Sequence, residues 1–167
     1  MSTKILFLDD IFSDQFRRKL SSEHLAFDDG WVSAVTKTLT NGSDDTGRAF
    51  QVIKSGDLVN WRALVEKEKP DVVLLDCFWP ELALAKFGDT KREAEVGLSI
   101  IPEMRKTFPE LPIICYTVKP NEDLIDRAYR LGASFFLEKV PLAMPEVQSP
   151  LKYVVIYLLR QRNAARE

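Results

Sequence analysis

Short apolar runs alternate with helical patterns along this chain, and that alternation limits the possible folds more than any other feature. Runs rich in Val, Ile, Leu and Phe, each closed by a polar residue or a turn signal, are typical of buried strands. Clear runs occur at 4–9, 71–76, 112–117 and 134–139, with a weaker one at 49–55. Because strand and helix alternate repeatedly, the sequence predicts an α/β fold: a doubly wound, five-stranded parallel sheet with helices on both faces.

The segments between these runs repeat apolar residues at helical spacing. The first helix is predicted to begin at Ser13 or Asp14, either of which can cap its amino terminus. Another is predicted to end at Gly132, because glycine is favoured directly after a helix. The predicted helices cover 13–25, 56–69, 97–108, 121–132 and roughly 150–165.

Two stretches exceed the ordinary length of a connection between a strand and a helix. Residues 26–48 are expected to carry a short helix at 31–40 and then a Gly/Ser/Asp loop. They should lie at the edge of the sheet away from the carboxyl ends of the strands, because they follow a helix that runs away from those ends. Residues 81–96 begin at the carboxyl edge, where they form either a lid or partner surface, or a solvated loop or helical extension. We expect a single domain over 1–167.

Charge and composition exclude several classes of protein. A net charge of −2 gives no sign of broad, nonspecific nucleic-acid binding, so no direct contact with nucleic acid is predicted. Two cysteines cannot form a disulfide framework, and no Cys/His cluster has zinc-binding spacing. No apolar run approaches the ~20 residues of a membrane span, and the amino terminus turns acidic too early for a signal peptide. We therefore expect a cytoplasmic protein with reduced thiols.

Polar side chains end each of the clear strands. Asp9 and Asp10 follow the first, Asp76 ends the next, and Thr117 and Lys139 end the last two. Ligands bind at the carboxyl ends of the strands in an open parallel sheet, so these side chains are expected to meet at one edge. Three carboxylates packed together raise one another's pKa unless a cation neutralises them, and Mg²⁺ is the hard ion that suits oxygen ligands.

Such a site can accept a phosphoryl group, with an aspartate as the nucleophile and with Mg²⁺ and lysine stabilising charge on the transferring oxygens. An aspartate-nucleophile phosphohydrolase uses similar groups, but it needs a general acid two residues after the nucleophile. Ile11 and Phe78 stand two residues after Asp9 and Asp76, and neither side chain can donate a proton. That enzyme class is therefore a remote alternative.

Four motifs, taken in chain order, resemble the receiver domain of two-component response regulators. "ILFLDDIFSDQFRR" is similar to the family's first strand, acidic pair and first helix, and "VVLLDCFWP" is similar to its phosphoacceptor strand. "PIICYT" and "LGASFFLEK" are similar to the strands that deliver the switch threonine and the lysine. The resemblance covers most of the chain outside 26–48 and 81–96, and it implies a flavodoxin-like fold with strand order 2-1-3-4-5.

The resemblance also implies roles for individual residues. Asp76 is the implied phosphoacceptor, assisted by Thr117 and Lys139, and Thr117 and Phe136 are the implied switch residues. Bound Mg²⁺ would be held by Asp76, Asp10 and the backbone carbonyl of Phe78, with Asp9 acting through water.

The implied partners are a histidine kinase or phosphotransfer protein as phosphoryl donor, and a downstream protein. The downstream protein would recognise a phosphorylation-dependent change around the helix at 121–132, the strand at 134–139 and the last helix. Such a domain is regulatory rather than an enzyme, and at most it catalyses its own phosphorylation and dephosphorylation.

Several residues depart from the family pattern. Val118 replaces a usually small residue after the switch threonine, and Val140 separates Lys139 from Pro141, where proline usually follows the lysine directly. These departures favour an alternative, a degenerate receiver that acts as a phosphorylation-independent protein-binding module. Phe78 stands two residues after the phosphoacceptor, where it is expected to shield an acyl phosphate from water and slow its hydrolysis.

The last helix is apolar at almost every position from Leu151 to Leu159. Hydrophobicity on all sides of a helix indicates burial on more than one side. We predict self-association through residues 150–160, with cover from neighbouring loops as the alternative. Because one helix follows the last strand, we expect a stand-alone receiver, unless "RQRNAARE" begins a linker to a further domain.

Overall fold

A computed structural model describes residues 2–40, 48–118, 120–139 and 145–166. The Val140–Pro141 bond, whose position relative to Lys139 departs from the family pattern, lies outside the described residues. So does most of the Gly/Ser/Asp loop predicted before residue 48. Among the helices that the structure does describe, none combines the length and hydropathy needed to cross a bilayer.

Five parallel strands form the predicted sheet in the order β2-β1-β3-β4-β5, which confirms the fold class and the strand order. Every residue of β3 and β4 is buried, as expected for central strands covered on both faces. The weak second run also forms a strand, which pairs with β1 along its whole length. The strands are β1 (Ser2–Leu8), β2 (Ala49–Ser55), β3 (Val72–Leu75), β4 (Ile113–Thr117) and β5 (Phe135–Glu138).

Helices cover both faces of the sheet, and two short 3₁₀ turns follow β1 and precede the fifth helix. The 3₁₀ turns are Asp10–Phe12 and Thr90–Arg92. The α-helices are α1 (Asp14–Arg17), α2 (Ser22–Thr40), α3 (Trp61–Glu68), α4 (Pro80–Phe87), α5 (Glu93–Thr107), α6 (Glu122–Leu131) and α7 (Pro145–Ala164).

Side chains alternate along each strand and so divide the core into two layers. In β1, Ile5 and Phe7 pack against α2 and α7, whereas Leu6 and Leu8 face the layer of α3, α5 and α6. The period of two in a strand produces this division, because successive side chains point to opposite faces. Both layers are apolar, so the polar residues that end the strands are set apart at the edge of the sheet.

The single helix predicted over 13–25 was wrong. Ser13 caps α1 by accepting a hydrogen bond from the Phe16 amide at 3.1 Å, but α1 ends at Arg17. Ser21 starts α2 by accepting hydrogen bonds from the amides of His24 and Leu25. The chain therefore turns between two helices that each have a serine cap.

The far-edge location predicted for 26–48 was wrong for its first residues, 27–31. Residues 31–40 are not an extra helix; they are the second half of α2, which bridges β1 and β2 and buries Trp31 and Leu39 against the sheet. Because α2 starts only at Ser22, its first half lies beside the carboxyl ends of the strands rather than at the far edge.

Residues 81–96 form α4, the second 3₁₀ turn and the first turn of α5. The helical extension among the predicted alternatives is therefore observed. Ala83 on the inner face of α4 is fully buried, and Gly88 ends that helix with a left-handed φ of 69°. Helix α5 begins at Glu93, four residues before the predicted start at Gly97.

Gly97 allows α5 to pass directly over the chain that follows β3. A Cβ atom at this position would lie 2.7 Å from the carbonyl carbon of Cys77, so a larger residue would force the helix and the loop apart. The close approach fixes the backbone immediately after Asp76.

Helix α7 buries one broad face, so the burial on more than one side predicted from its sequence was wrong. Leu151, Val155 and Leu159 lie in the core layer that α7 shares with α2 and the sheet. Tyr153 and Tyr157, one turn apart, are the large apolar side chains that this helix exposes among its described residues, at 55% and 54%.

Candidate functional site

The structure brings the predicted residues together at the carboxyl edge of the sheet. Asp9, Asp76 and Lys139 each directly follow a strand, and Thr117 is the last residue of β4. All four are buried, at 8% exposure or less. Because the strands are parallel and adjacent, their ends bring residues distant in sequence into contact.

Asp76 lies at the centre of the site. Its Oδ1 atom accepts hydrogen bonds from the Thr117 hydroxyl at 2.6 Å and from the Phe78 amide at 3.1 Å. Its Oδ2 atom accepts one from the Lys139 ammonium at 3.0 Å. A hydroxyl, a backbone amide and a cation thus fix both oxygens of this carboxylate.

Lys139 bridges two of the strand-end carboxylates. Its ammonium donates to Oδ2 of Asp9 at 2.7 Å as well as to Asp76. The other Asp9 oxygen accepts the Ile11 amide at 3.1 Å, which also caps the 3₁₀ turn after β1. Burial lowers the pKa of Lys139, but the two carboxylates outweigh that effect and raise its pKa above the ordinary value.

The charges at this edge do not balance. Asp9, Asp10 and Asp76 each present a carboxylate oxygen within 4.8 Å of the others, whereas in the part of the chain that the structure describes Lys139 is the one cation bonded to this cluster. Burial, and then repulsion from Asp9 and Asp76, raises the pKa of Asp10 to about 8. Burial also raises the pKa of Asp9 to about 6, although Lys139 opposes the shift. When all three carboxylates are ionised, the one ammonium leaves an excess of two negative charges.

This donor set fits a hard divalent cation. Carboxylate oxygens are the ligands that Mg²⁺ prefers, and its double charge would offset the excess at the site. Asp10, which is only partly buried, faces the pocket and can reach an ion from there. The chemistry of the residues present is therefore consistent with Mg²⁺.

The site opens into a pocket of about 360 Å³. Phe78 and Val118 line it, as their positions after β3 and β4 require. Phe136 lies outside it, half-buried in β5 against the core layer of α5 and α6. Lys119 and residues 140–144 are outside the described chain.

Sequence reasoning missed the residues that α2 and α5 add to the pocket. Phe27, Asp28 and Trp31 line one wall, because the first half of α2 lies at this edge. Their separation by three and four positions places them on one face of a helix. That spacing was a usable signal, but only for a helix extended past residue 25. Glu93, the first residue of α5, lines another wall, and burial and Asp76 raise its pKa.

Trp79 was also missed. It is 2% exposed, and its indole N–H donates to the backbone carbonyl of Asp76 at 2.7 Å. Its own amide donates to the Glu93 carbonyl at 3.3 Å. Trp79 therefore ties the backbone of the central carboxylate to the start of α5. No sequence motif signals this bond, since it depends on how the loop folds back.

Comparisons with known proteins give a distant match in sequence. No family model matches the chain. The chain is 28% identical over 130 residues to the transcriptional regulatory protein CitT of Bacillus subtilis (strain 168), a match that covers 77% of this chain and 50% of CitT. The chain thus spans half the length of this curated relative.

The match to solved structures is closer in fold than in sequence. A response regulator from Thermotoga maritima has a TM-score of 0.58 at 17% identity, with 96% of this chain and 99% of that chain covered. The receiver domain of NtrX from Brucella abortus has a TM-score of 0.56 at 20% identity, with 92% and 98% covered. The chain therefore has the fold of response-regulator receiver domains, the family that its sequence motifs resemble.

Proposed function

We propose that this chain is a phospho-accepting signalling switch in which Asp76 receives the phosphoryl group. The observation that supports this most directly is the environment of the Asp76 carboxylate. A hydroxyl, an amide and an ammonium contact its oxygens, and two further carboxylates lie beside it. These groups can bind a cation and the oxygens of a phosphoryl group without rearranging the sheet.

Asp76 is the nucleophile in the proposed step. A carboxylate oxygen attacks phosphorus, an acyl phosphate bond forms, and the bond from phosphorus to the donor breaks, so that the donor leaves with its electron pair. Mg²⁺ would be held by Asp10, Asp76 and the backbone carbonyl of Phe78, with Asp9 acting through water, and would supply positive charge to the transferring oxygens. The donor is a histidine kinase or a phosphotransfer protein.

Lys139 and Thr117 respond to the product. The Lys139 ammonium, which lies between Asp9 and Asp76, exchanges its hydrogen bond with Asp9 for one to a phosphoryl oxygen. The Thr117 hydroxyl, which donates to Asp76 at 2.6 Å, is redirected to another phosphoryl oxygen. Phe136 follows Thr117 inward, and the surface around α6, β5 and α7 changes for a downstream partner.

Self-association is part of this proposal. Tyr153 and Tyr157 are more than half exposed on α7, beside the surface that is proposed to change. Sedimentation should show a mass that rises with protein concentration and falls again when both tyrosines are replaced by serine. A single monomer mass at every concentration would rule out self-association and leave the proposed phosphorylation of Asp76 unaffected.

The test of the switch is intact mass after incubation with Mg²⁺ and acetyl phosphate. We expect one phosphoryl group on the wild type and none on Asp76→Asn. Asp71→Asn, at the opposite edge of the sheet, is the matched control and should still be modified. A folded wild type that gains no phosphoryl, alongside a competent receiver that does, would favour the phosphorylation-independent binding module.

A further inference from the structure

Trp31 contacts the site from α2, outside the set of strand ends. The Lys139 ammonium lies 5.2 Å from the centroid of its ring. A cation within about 6 Å of a tryptophan ring centroid is attracted by the ring's negative face, and the attraction is strongest where water is excluded. Both partners are buried, Trp31 at 4% and Lys139 at 8% exposure, so little of the contact is open to solvent.

The ring of Trp31 is held by the strands that carry the site. It meets Phe7 edge-on at 6.4 Å and stacks on Tyr116 at 6.1 Å, with an interplanar angle of 21°. Phe7 lies two residues before Asp9, and Tyr116 directly precedes Thr117. The aromatic face that Lys139 meets is therefore fixed relative to the carboxylate and the hydroxyl with which it works.

Lys139 needs such a support more than the other site residues do. Its ammonium is carried on four flexible carbons, whereas aspartate and threonine have short side chains. Its ammonium contacts two kinds of group, the anions Asp9 and Asp76 and the aromatic face of Trp31. The aromatic face restricts the ammonium to the gap between the two carboxylates without neutralising it.

We propose that Trp31 is a positioning residue that holds the Lys139 ammonium between Asp9 and Asp76, which makes α2 a part of the site. The consequence for phosphorylation rests on the function proposed above. Asp28, one turn before Trp31, lines the same pocket, so this face of α2 forms a continuous wall. With the ammonium held in place, charge that develops on the phosphoryl oxygens meets it without a search among lysine rotamers.

The first experiment compares Trp31→Phe with Trp31→Leu. The two replacements are similar in size, but only phenylalanine keeps an aromatic face. With acetyl phosphate and Mg²⁺, the initial rate of phosphoryl incorporation should fall roughly tenfold for Trp31→Leu and about twofold for Trp31→Phe. Equal rates for wild type and Trp31→Leu, or equal losses for both variants, would overturn the proposal.

Trp61→Leu is the matched control. Trp61 is also a buried tryptophan with an arginine over its ring, but it lies in the other core layer against Phe108. Trp61→Leu should lose about as much stability as Trp31→Leu does, but it should keep the wild-type rate of phosphoryl incorporation. If Trp31→Leu does not fold, Trp31→Met takes its place, and Trp31→Phe remains the rescue variant.

A second experiment does not depend on phosphorylation. In a double-mutant cycle, Trp31→Leu and Lys139→Met are made singly and together, and the unfolding equilibrium is measured without Mg²⁺. The joint change in the equilibrium constant should depart from the product of the single changes by roughly fivefold or more. If the change in the double mutant equals the product of the two single changes, the contact between Trp31 and Lys139 is refuted. A wild type that takes up no phosphoryl would instead refute the proposed function, while the cycle still decides the role of Trp31.

Discussion

The two edges of the sheet each carry buried or half-buried aspartates, but they differ in charge balance. At the amino edge, Asp71 accepts the Lys4 amide at 2.9 Å and the Arg162 guanidinium at 3.2 Å, so one carboxylate meets one cation. At the carboxyl edge, three carboxylates share the ammonium of Lys139. A balanced ion pair of this kind has a structural role, since it joins the start of β3 to α7. The unbalanced cluster leaves charge for a ligand to neutralise, and that difference separates a structural ion pair from a binding site.

Removing the cation at each edge should give the largest contrast. Lys139→Met leaves the carboxylates of the site without their ammonium, and loss of one partner of a buried pair costs roughly 3–5 kcal/mol. Arg162→Met should cost about 1 kcal/mol, because Asp71 is partly exposed and can be hydrated. Denaturant unfolding without Mg²⁺ measures both free energies. Millimolar Mg²⁺ should restore part of the loss in Lys139→Met alone; equal losses, unaffected by Mg²⁺, would mean that the two edges do not differ.

The same substitution at the two edges should have opposite signs. Asp10→Asn removes a repelled charge and should raise the free energy of unfolding by about 2 kcal/mol at pH 8 without Mg²⁺. Asp71→Asn weakens hydrogen bonds to Arg162 and Lys4 and should lower it by about 1 kcal/mol. Chemical denaturation of both variants at one pH tests the signs. Stabilisation by Asp10→Asn should disappear when Mg²⁺ is saturating, because the wild type is then neutralised.

Stability of the metal-free protein should depend on pH through the carboxyl edge. The folded-state pKa values of Asp10, about 8, and Asp9, about 6, both exceed the ordinary value of 3.8. Between about pH 4 and about pH 8 the folded state therefore binds more protons than the unfolded state. The free energy of unfolding falls as pH rises through this range. Several charged groups line the pocket with Asp10 and set its electrostatic surroundings. They are Asp9, Asp28, Asp76, Glu93 and Lys139.

Thermal or denaturant unfolding at pH 5.5 and pH 8 measures this dependence. We expect a loss of about 3–4 kcal/mol over that interval in the wild type without Mg²⁺. Asp10→Asn should flatten the curve above pH 6, and Mg²⁺ should flatten it in the wild type. A metal-free wild type that is more stable at pH 8 than at pH 5.5 would contradict the assigned repulsion.

The smallest expected effect concerns water at the carboxyl edge. Phe78 lines the pocket beside Asp76, so Phe78→Asn should shorten the half-life of the acyl phosphate about threefold, a barrier change below ~1 kcal/mol. Phe108→Asn makes the same replacement at the amino edge, where Phe108 lines a separate pocket, and should leave the half-life unchanged. Intact mass at intervals after removal of the donor gives both half-lives. Equal half-lives for wild type and Phe78→Asn would show that the phenyl ring does not shield the site.

The strand pattern allowed the sheet and most of the site to be predicted. Apolar runs fix where each parallel strand ends, and parallel strands end at a common edge, so Asp9, Asp76, Thr117 and Lys139 could be placed together before any contact was known. Even the weak run at 49–55 forms its strand, paired with β1. For these strands the local sequence pattern and the overall fold favour the same structure, so the strands could be predicted from the sequence.

The break between α1 and α2 could not be predicted in the same way. Residues 18–21 have no strong helix breaker, and both serine caps are compatible with one helix or with two. Packing decides, since a helix that starts at Ser22 buries Trp31, Val35 and Leu39 against the sheet. That choice also moves the first half of α2 to the carboxyl edge.

The sequence by itself determined which residues end the strands and therefore which charges meet at the carboxyl edge. Only the tertiary structure decided how those charges are supported: by Trp31 over Lys139, and by Trp79, which donates to the backbone carbonyls of Asp76 and Glu93. The physical reason is that strand ends follow from chain direction and a period of two. The supporting contacts instead depend on where helices begin and how closely they pack, which small differences in burial energy settle.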